Sequence, residues 1–404
     1  MRVVVLTQHY VPEVTACRFR VEAFATRIAE RGHEVEVIAP VPNYPEGVVQ
    51  DPYRGRAVVR DLIDGVQVTY VWTYTHPSKR AIHRLGYYGS YAATATVAGS
   101  LARRPDVVFA TSPPLSVPVA GSAVAARHRV PWVFDVRDLW PLAAEVIGEL
   151  TDPRAIAAAE RLERRLYGSA ERIVAVTEAF RRYIADRGGE GKVSLIRNGT
   201  TEEWLEPPAE EPDRAKLGIN EERFVWTYAG NLGPSRRLDV AIEAAERLGE
   251  RFQLLVIGGG GAEERLREQA DQLPEGLVRF TGLMAPKQTA MRLRASDALF
   301  VPQRRGLGDF VPSKLFDYAA TGRPLIVMAD GETAELAERS GASLTVEPED
   351  ADGLVAALRR LAGDRELGRR LGEAGVTFAR GHSRQGQADE LTDLLEECAS
   401  VGRH

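Results

Sequence analysis

Short β-branched runs alternate with helical periodicity along nearly the whole chain, and the alternation stops once, near residue 205, before starting again. In the first half, strands are expected at Val3–Leu6, Val35–Ile38, Val66–Trp72, Val107–Ala110, Trp132–Phe134, Ile173–Val176 and Val193–Ile196. A helix is expected over Arg18–Glu30, stopped by Gly32. Strands that are apolar throughout suit a parallel sheet, because crossover helices cover both of its faces. The pause has linker chemistry: a turn at Asn198-Gly199, then an acidic stretch, Glu202–Asp213, carrying Pro207, Pro208 and Pro212. Strands resume at Phe224–Tyr228, Leu254–Ile257, Val278–Phe280, Ala298–Val301, Leu325–Met328 and Leu344–Val346, and helical material follows over Ala351–Ala379 and Gln385–Ala399. The pattern predicts two doubly wound α/β domains, 1–203 and 204–382, facing across an interdomain cleft, with a helix in 383–404 packing back toward the first. A chain of 404 residues is long enough for both cores.

In such sheets ligands bind outside the carboxyl ends of the strands, so the chemistry is sought in the loops that follow strands. Gly308–Pro324 reads G-D-F-V-P-S-K-L-F-D-Y-A-A-T-G-R-P. Pro312 suits a first helical position. That choice puts Asp309 in the preceding loop, Lys314 in the first turn, and Asp317 more than a turn inside the helix. A loop acid, an anion-favouring helix start and a second acid suit a sugar, a diphosphate and a ribose. The plainer alternative is an ordinary solvated helix.

Phe224–Tyr228 is followed by A-G-N-L-G-P-S-R-R, in which Gly230 and Gly233 would let backbone approach a phosphate and Arg236 or Arg237 would open the next helix. Leu254–Ile257 runs into Gly258–Gly261, but Glu263 stands where a dinucleotide fingerprint needs glycine. A close backbone pass beside a nucleotide base is expected instead, or a plain tight turn. In the first half, His9, Tyr10 and Glu13 follow the first strand. Asn43 and Tyr44 lie in the stiff A-P-V-P-N-Y-P-E-G loop, and Arg137 and Asp138 follow Trp132–Phe134 in D-V-R-D-L-W-P. Arg137 is permanently charged and can fork onto phosphate oxygens. His9 and the Arg137-Asp138 pair equally suit structural hydrogen bonding. Asp135 and Asp138 are not spaced as a two-carboxylate metal site, and no metal or other cofactor is expected.

Composition narrows the partners. Residues 1–200 carry 26 Lys/Arg against 21 Asp/Glu, whereas 201–404 carry 26 against 36. The first half therefore suits an anionic partner, but its excess is too small for nucleic acid. Cys17 and Cys398 match no metal spacing and are too few for a disulfide framework, so a reducing, cytoplasmic setting is expected. No signal-like or membrane-spanning run is present.

With these residues assembled, the chain resembles a retaining glycosyltransferase of family 4 with the GT-B fold, nearest to the fucosaminyltransferase-like subgroup of O-antigen and capsule assembly. The resemblance runs over the chain through R-G-H-E-V (31–35), P-N-Y-P-E-G (42–47), A-T-S-P-P-L (110–115), D-V-R-D-L-W-P (135–141), R-I-V-A-V-T-E (172–178), Y-A-G-N-L-G (228–233) and V-P-S-K-L-F-D-Y-A-A-T-G-R-P (311–324). It implies transfer from a nucleoside diphosphate sugar, with a UDP-linked donor expected, to an acceptor hydroxyl. It implies a donor site of Gly230, Asn231, Gly233, Arg236, Arg237, Gly258, Gly259, Leu283, Phe310, Val311, Pro312, Ser313, Lys314, Leu315 and Asp317. Catalytic roles fall to Arg137, Asp138, Asp309 and Lys314, and acceptor binding to His9, Tyr10, Asn43, Tyr44 and Arg137. The family's paired glutamates are both shortened here, to Asp309 and Asp317. Its basic pair is matched by Arg236 or Arg237 with Lys314, its His-Asp is Arg137-Asp138, and its first-loop glycine pair is absent. A nucleotide-sugar 2-epimerase of the same layout, or a non-catalytic sugar-nucleotide-binding subunit, are the alternatives.

The acceptor is either a lipid-linked saccharide or a soluble small molecule. Lys79–Arg104 opens with Lys79, Arg80 and Arg84, closes with Arg103 and Arg104, and holds Leu85, Tyr87, Tyr88 and Tyr91 between them. Such a segment suits peripheral contact with a membrane face, or a helix whose tyrosines pack on the first sheet.

Overall fold

The computed structural model describes residues 1–404 except 79, 147, 149, 207–209, 211 and 402–404. Pro207 and Pro208 of the linker and Lys79 therefore lie outside the described residues. The chain divides into two compact units, Met1–Arg197 with Arg384–His404, and Asn198–Ser383. The changeover falls at Arg197 rather than near 205, because the chain from Thr200 onward is tied into the second unit. Thr200 N donates to His382 O at 3.0 Å, and Arg294 donates to the carbonyls of Trp204 and Glu206, each at 2.7 Å.

The first unit is built on an eight-stranded sheet. Its strands are β1 (Arg2–Leu6), β2 (Glu34–Pro40), β3 (Val58–Ile63), β4 (Val66–Val71), β5 (Val107–Ser112), β6 (Trp132–Val136), β7 (Arg172–Ala175) and β8 (Val193–Leu195). They lie in the order β3-β4-β2-β1-β5-β6-β7-β8, parallel except for the β3–β4 hairpin. One sheet face, with Val3, Val5, Val37, Phe109 and Val133, packs under Val21, Phe24 and Ile28 of helix Ala16–Glu30 and Leu391 and Leu395 of helix Arg384–Val401. The free thiols of Cys17 and Cys398 are buried in this core. Helix Ser116–His128 presses so close to the sheet that a Cβ on Gly121 would stand 2.5 Å from Ala110 Cβ, so only glycine fits.

Sequence reading missed β3. Asp64 (φ +48°) and Gly65 (φ +79°) make a two-residue turn with both φ values positive, the geometry that matches strand twist. Asp-Gly was visible in the sequence. The strand before it is half wet and polar at Arg60 and Asp61, so it lacks the continuous apolar run of the buried strands.

The second unit holds β9 (Phe224–Ala229), β10 (Phe252–Ile257), β11 (Val278–Gly282), β12 (Ala298–Pro302), β13 (Leu325–Met328) and β14 (Ser343–Val346). All are parallel, in the order β11-β10-β9-β12-β13-β14. Successive residues feed opposite cores: Trp226, Tyr228, Leu254 and Phe300 pack with helices Leu238–Leu248 and Ala351–Gly363. Val225, Leu255, Leu299 and Val327 pack with Leu315, Phe316 and Leu336. The expected helix 351–379 is interrupted at Asp364, whose side chain caps the next helix, Arg365–Arg380, through Leu367 N.

Candidate active site

In the second unit the loops after β9 and β10 interlock. Gly230 N donates to Ile257 O, Leu232 N to Gly259 O, and Ala262 N to Leu232 O, all at 2.9–3.0 Å. A Cβ on Gly258 (φ +128°) would stand 2.1 Å from Gly230 O, and one on Gly260 2.7 Å from Leu232 N. These glycines are needed for the close backbone pass itself. Gly233 is not: its φ is −90° and its nearest neighbour, Asn231, is at ordinary contact distance.

Lys314 reaches into this crossing. Its Nζ donates to Ala229 O at 3.0 Å and lies 3.9 Å from the centroid of Tyr228, and a Cβ on Gly230 would meet it at 2.7 Å. Burial, and next the charge of Arg236, hold its ammonium well below the usual lysine range, while Asp317 opposes them. Two tyrosines missed in the sequence frame the lysine. Tyr318 OH donates to Ala229 O and accepts from Ala229 N, each at 2.7 Å, and Tyr228 OH donates to Asn231 O at 2.7 Å.

The helix carrying Lys314 differs from expectation. It runs Lys314–Ala319, with Ser313 as the preceding cap position, so Asp317 lies in its first turn rather than beyond it. Leu315 N donates to Pro312 O at 3.0 Å and Phe316 N to Ser313 O at 3.1 Å, both i→i+3 bonds, and the first i→i+4 bond runs from Asp317 N to Ser313 O at 3.4 Å. Val311 and Leu315 are buried in the core, and Pro312 is buried too, so these three offer a ligand little beyond backbone. Phe310 and Ser313 are less enclosed, and Leu283, after β11, is almost fully exposed.

The basic pair resolves into one member. Arg237 (φ +45°) pairs with Asp239 at 3.0 Å and Glu349 at 2.7 Å, so its charge is spent within the fold. Arg236 is the cation felt by Lys314. Asp309 is exposed, and its Oδ1 accepts from Glu332 N at 3.3 Å at the start of helix Gly331–Ser340. Its loop is fixed by Asp330, which accepts from Gly306 N and Gly308 N, and by Gln303, whose Nε2 donates to Leu307 O and Phe310 O.

In the first unit, Glu13 organises the loops after β1 and β2. Its Oε1 accepts from Asn43 N (2.8 Å) and Tyr44 N (2.9 Å), and its Oε2 meets His9 Nδ1. His9 and the exposed Tyr44 stand edge to face, 5.3 Å between centroids. Tyr10 does not fit the expected acceptor role: it is buried in the core, and burial raises its hydroxyl pKa. Asn43 is buried as well, its Nδ2 donating to Val41 O at 2.9 Å. Beside this loop is a hollow of about 400 Å³ lined by Tyr53, Arg54, Arg56, Trp72 and Tyr74, which no motif announced.

Arg137 is oriented by Thr111 and Asp135 rather than by Asp138. Its Nε donates to Thr111 Oγ1 at 2.7 Å, and Thr111 donates to Asp135 Oδ2 at 2.8 Å. Asp135 is fully buried and pairs with Arg20, which also donates to the carbonyls of Ile196 and Arg197. This buried Arg20–Asp135 pair spans 115 residues and left no local signal. Asp138 is pushed up to about 6 by burial, against the lowering effects of Arg137 and the Leu139 N–H. Among the described residues, no three His, Cys, Asp or Glu side chains cluster as a metal site.

Residues 15–199 match the family described as a glycosyl transferase 4-like domain, and residues 209–377 match glycosyl transferases group 1. The chain belongs to the GT-B glycosyltransferases. This glycosyltransferase is 25% identical over 377 residues to the Escherichia coli (strain K12) colanic acid biosynthesis glycosyl transferase WcaI, spanning 89% of this chain and 92% of the relative. Its fold is similar to sucrose-phosphate synthase (tll1590) from Thermosynechococcus elongatus, with TM-score 0.77, 16% identity and 99% of each chain covered. It is also similar to Anabaena Alr3699/HepE, solved in complex with UDP and glucose, with TM-score 0.74 and 14% identity over 98% of this chain and 100% of that one.

Proposed function

We propose that this glycosyltransferase moves a sugar from a UDP-linked donor to an acceptor hydroxyl, with retention at the anomeric carbon and without a metal. The observation that carries the reading is the desolvated Lys314 ammonium, held at the Gly230 crossing with the charge of Arg236 acting against it. Such a pair favours entry of an anion. In this reading the second unit binds the donor. Lys314 and Arg236 take the diphosphate charge, Asp317 the ribose, and the backbone at Gly258 and Gly259 lies beside the base near Leu283. Asp309 meets the sugar. The first unit binds the acceptor, a lipid-linked saccharide or a soluble small molecule, through His9, Tyr44, Arg137 and Asp138.

The bond from the anomeric carbon to the diphosphate oxygen breaks, and the bond to the acceptor oxygen forms on the same face. The acceptor proton passes to the leaving diphosphate. The protein contributes placement and charge stabilisation. UDP found with the Anabaena neighbour supports the choice of nucleotide.

One observation favours a non-catalytic subunit: the shortened Asp309 accepts from Glu332 N. Calorimetry with UDP, followed by incubation of UDP-sugars with lipid-linked and soluble acceptors, decides between the readings. UDP binding with a retained glycosidic product in the presence of a chelator is expected. Binding without turnover for any acceptor supports the subunit, donor turnover without acceptor supports the epimerase, and activity lost to chelator and restored by magnesium overturns the metal-free mechanism.

A further inference from the structure

Helix Ala81–Leu101 packs on the first unit by one face only. Tyr91, Ala95 and Gly99 are buried, and a Cβ on Gly99 would stand 2.6 Å from Val124, so the contact with helix Ser116–His128 is tight. Tyr91 OH donates to Thr7 O at 2.7 Å and Ile38 O at 2.9 Å, fixing the rotation of the helix. The opposite face carries Ile82 (66% exposed), Leu85 (66%), Val97 (59%) and Leu101 (82%), with exposed Gly89 and Ala93 between them. These positions recur at three- and four-residue steps, so they form one stripe along a helix about 30 Å long. Isolated exposed apolar side chains are common; a continuous stripe is not.

The ends of the stripe are cationic. Exposed Arg80 stands at the N-cap, and Arg103, 77% exposed, and Arg104 follow the last turn. Arg103 shares the exposed Glu34 at 3.3 Å, and no Asp or Glu occurs between Asp64 and Asp106. Self-association through this face would bring two such helices together with no carboxylate on either to meet the arginines. An anionic surface meets them all. Among the described residues no helix is long and apolar enough to cross a bilayer. Because Tyr91, Ala95 and Gly99 seat one face of this helix on its unit, the stripe on the other face would meet a surface with the helix lying flat.

We infer that helix Ala81–Leu101 docks this glycosyltransferase on the anionic headgroup surface of a lipid bilayer, its apolar stripe inserted at the headgroup boundary and its flanking arginines on lipid phosphates. The surface contact stands without the transferase reading. The consequence for the substrate, an acceptor saccharide carried on lipid, rests on that reading.

The full chain is sedimented with vesicles of phosphatidylcholine alone and of phosphatidylcholine mixed with phosphatidylglycerol, at low and high salt. Binding to the mixed vesicles at low salt is expected, weakened at least tenfold at high salt and absent with phosphatidylcholine alone. The double variant Leu85→Glu, Val97→Glu should bind at least tenfold more weakly with an unchanged melting temperature, since both side chains are exposed. Arg80→Gln with Arg104→Gln should weaken binding by roughly fivefold per arginine. Equal binding to neutral vesicles, no co-sedimentation at low salt, or unchanged binding by the Glu variant overturns the inference. So does a dimer in sedimentation equilibrium without lipid that the Glu variant dissociates. Calorimetry with UDP on the same preparations separates this failure from failure of the donor site.

Discussion

Replacing Lys314 by methionine should separate folding from function. In the ligand-free protein the ammonium is held below its usual pKa, first by burial and then by Arg236, so its charged form weighs against the fold at neutral pH. The carbonyl that Lys314 leaves behind, Ala229 O, still accepts from Tyr318 OH at 2.7 Å. Methionine fills similar space beside the Tyr228 ring. Ligand-free Lys314→Met should therefore melt at or above the wild-type temperature. Turnover should behave oppositely. Two unit charges 4 Å apart interact by about 4 kcal/mol at an effective dielectric near 20. Loss of one contact to transition-state charge commonly costs about 3–4 kcal/mol, or 10²–10³ in rate. The assays are differential scanning calorimetry without ligand, titration with UDP, and initial rates at saturating donor. A clearly lowered ligand-free melting temperature would make Lys314 a structural residue. A rate above about a third of wild type, far short of that scale, would refute the diphosphate assignment.

Asp317→Asn should weaken UDP binding by calorimetry, because a carboxylate accepts two ribose hydroxyls better than an amide; equal affinity would move that contact elsewhere. Gly258→Ala should cost at least about 3 kcal/mol in urea unfolding, since φ is +128° and the new Cβ would meet a backbone carbonyl that cannot swing aside; near-wild-type stability would show that the crossing can spread. Glu163 is fully buried, accepts from Tyr167 OH at 2.9 Å, and is pushed up from 4.5 to about 7 by burial. Because its folded pKa is raised, stability is lost as pH climbs from about 4.5 to about 7. Glu163→Gln should gain on wild type across that window, up to about 3 kcal/mol at about 1.4 kcal/mol per unit; a constant difference across it would show that Glu163 does not titrate there.

The buried strands were legible because each is a short apolar run between breakers. That Gly230 and Gly258 mark close backbone approaches was legible, because glycine is the residue that permits them; that the two loops approach each other, rather than a ligand, was not. β3 escaped because one wet face breaks the run. The Lys314 helix was misplaced because proline at a first helical position is a preference, and here the Pro312 carbonyl takes only the tighter bond from Leu315 N, while the first i→i+4 bond falls to Ser313 O. Arg237 could not be told from Arg236 because Asp239 lies within reach of either by spacing, and the second partner, Glu349, is distant in sequence. The same holds for Arg20 with Asp135 and for Glu13 with the backbone of Asn43 and Tyr44: such bonds are created by the fold and have no spacing to read.

The helix Arg384–Val401 belongs to the first unit, although the whole of the second precedes it in the chain. It supplies Leu391 and Leu395 to the first core and pairs Asp389 with Arg27 at 2.8 Å and Asp393 with Arg31 at 2.7 Å. The second unit is thus an insertion in the first. Domains usually mature in order of synthesis. Here the ribosome completes the inserted unit while its host still exposes the apolar flank of helix Ala16–Glu30, so the half that begins first is the half that finishes last.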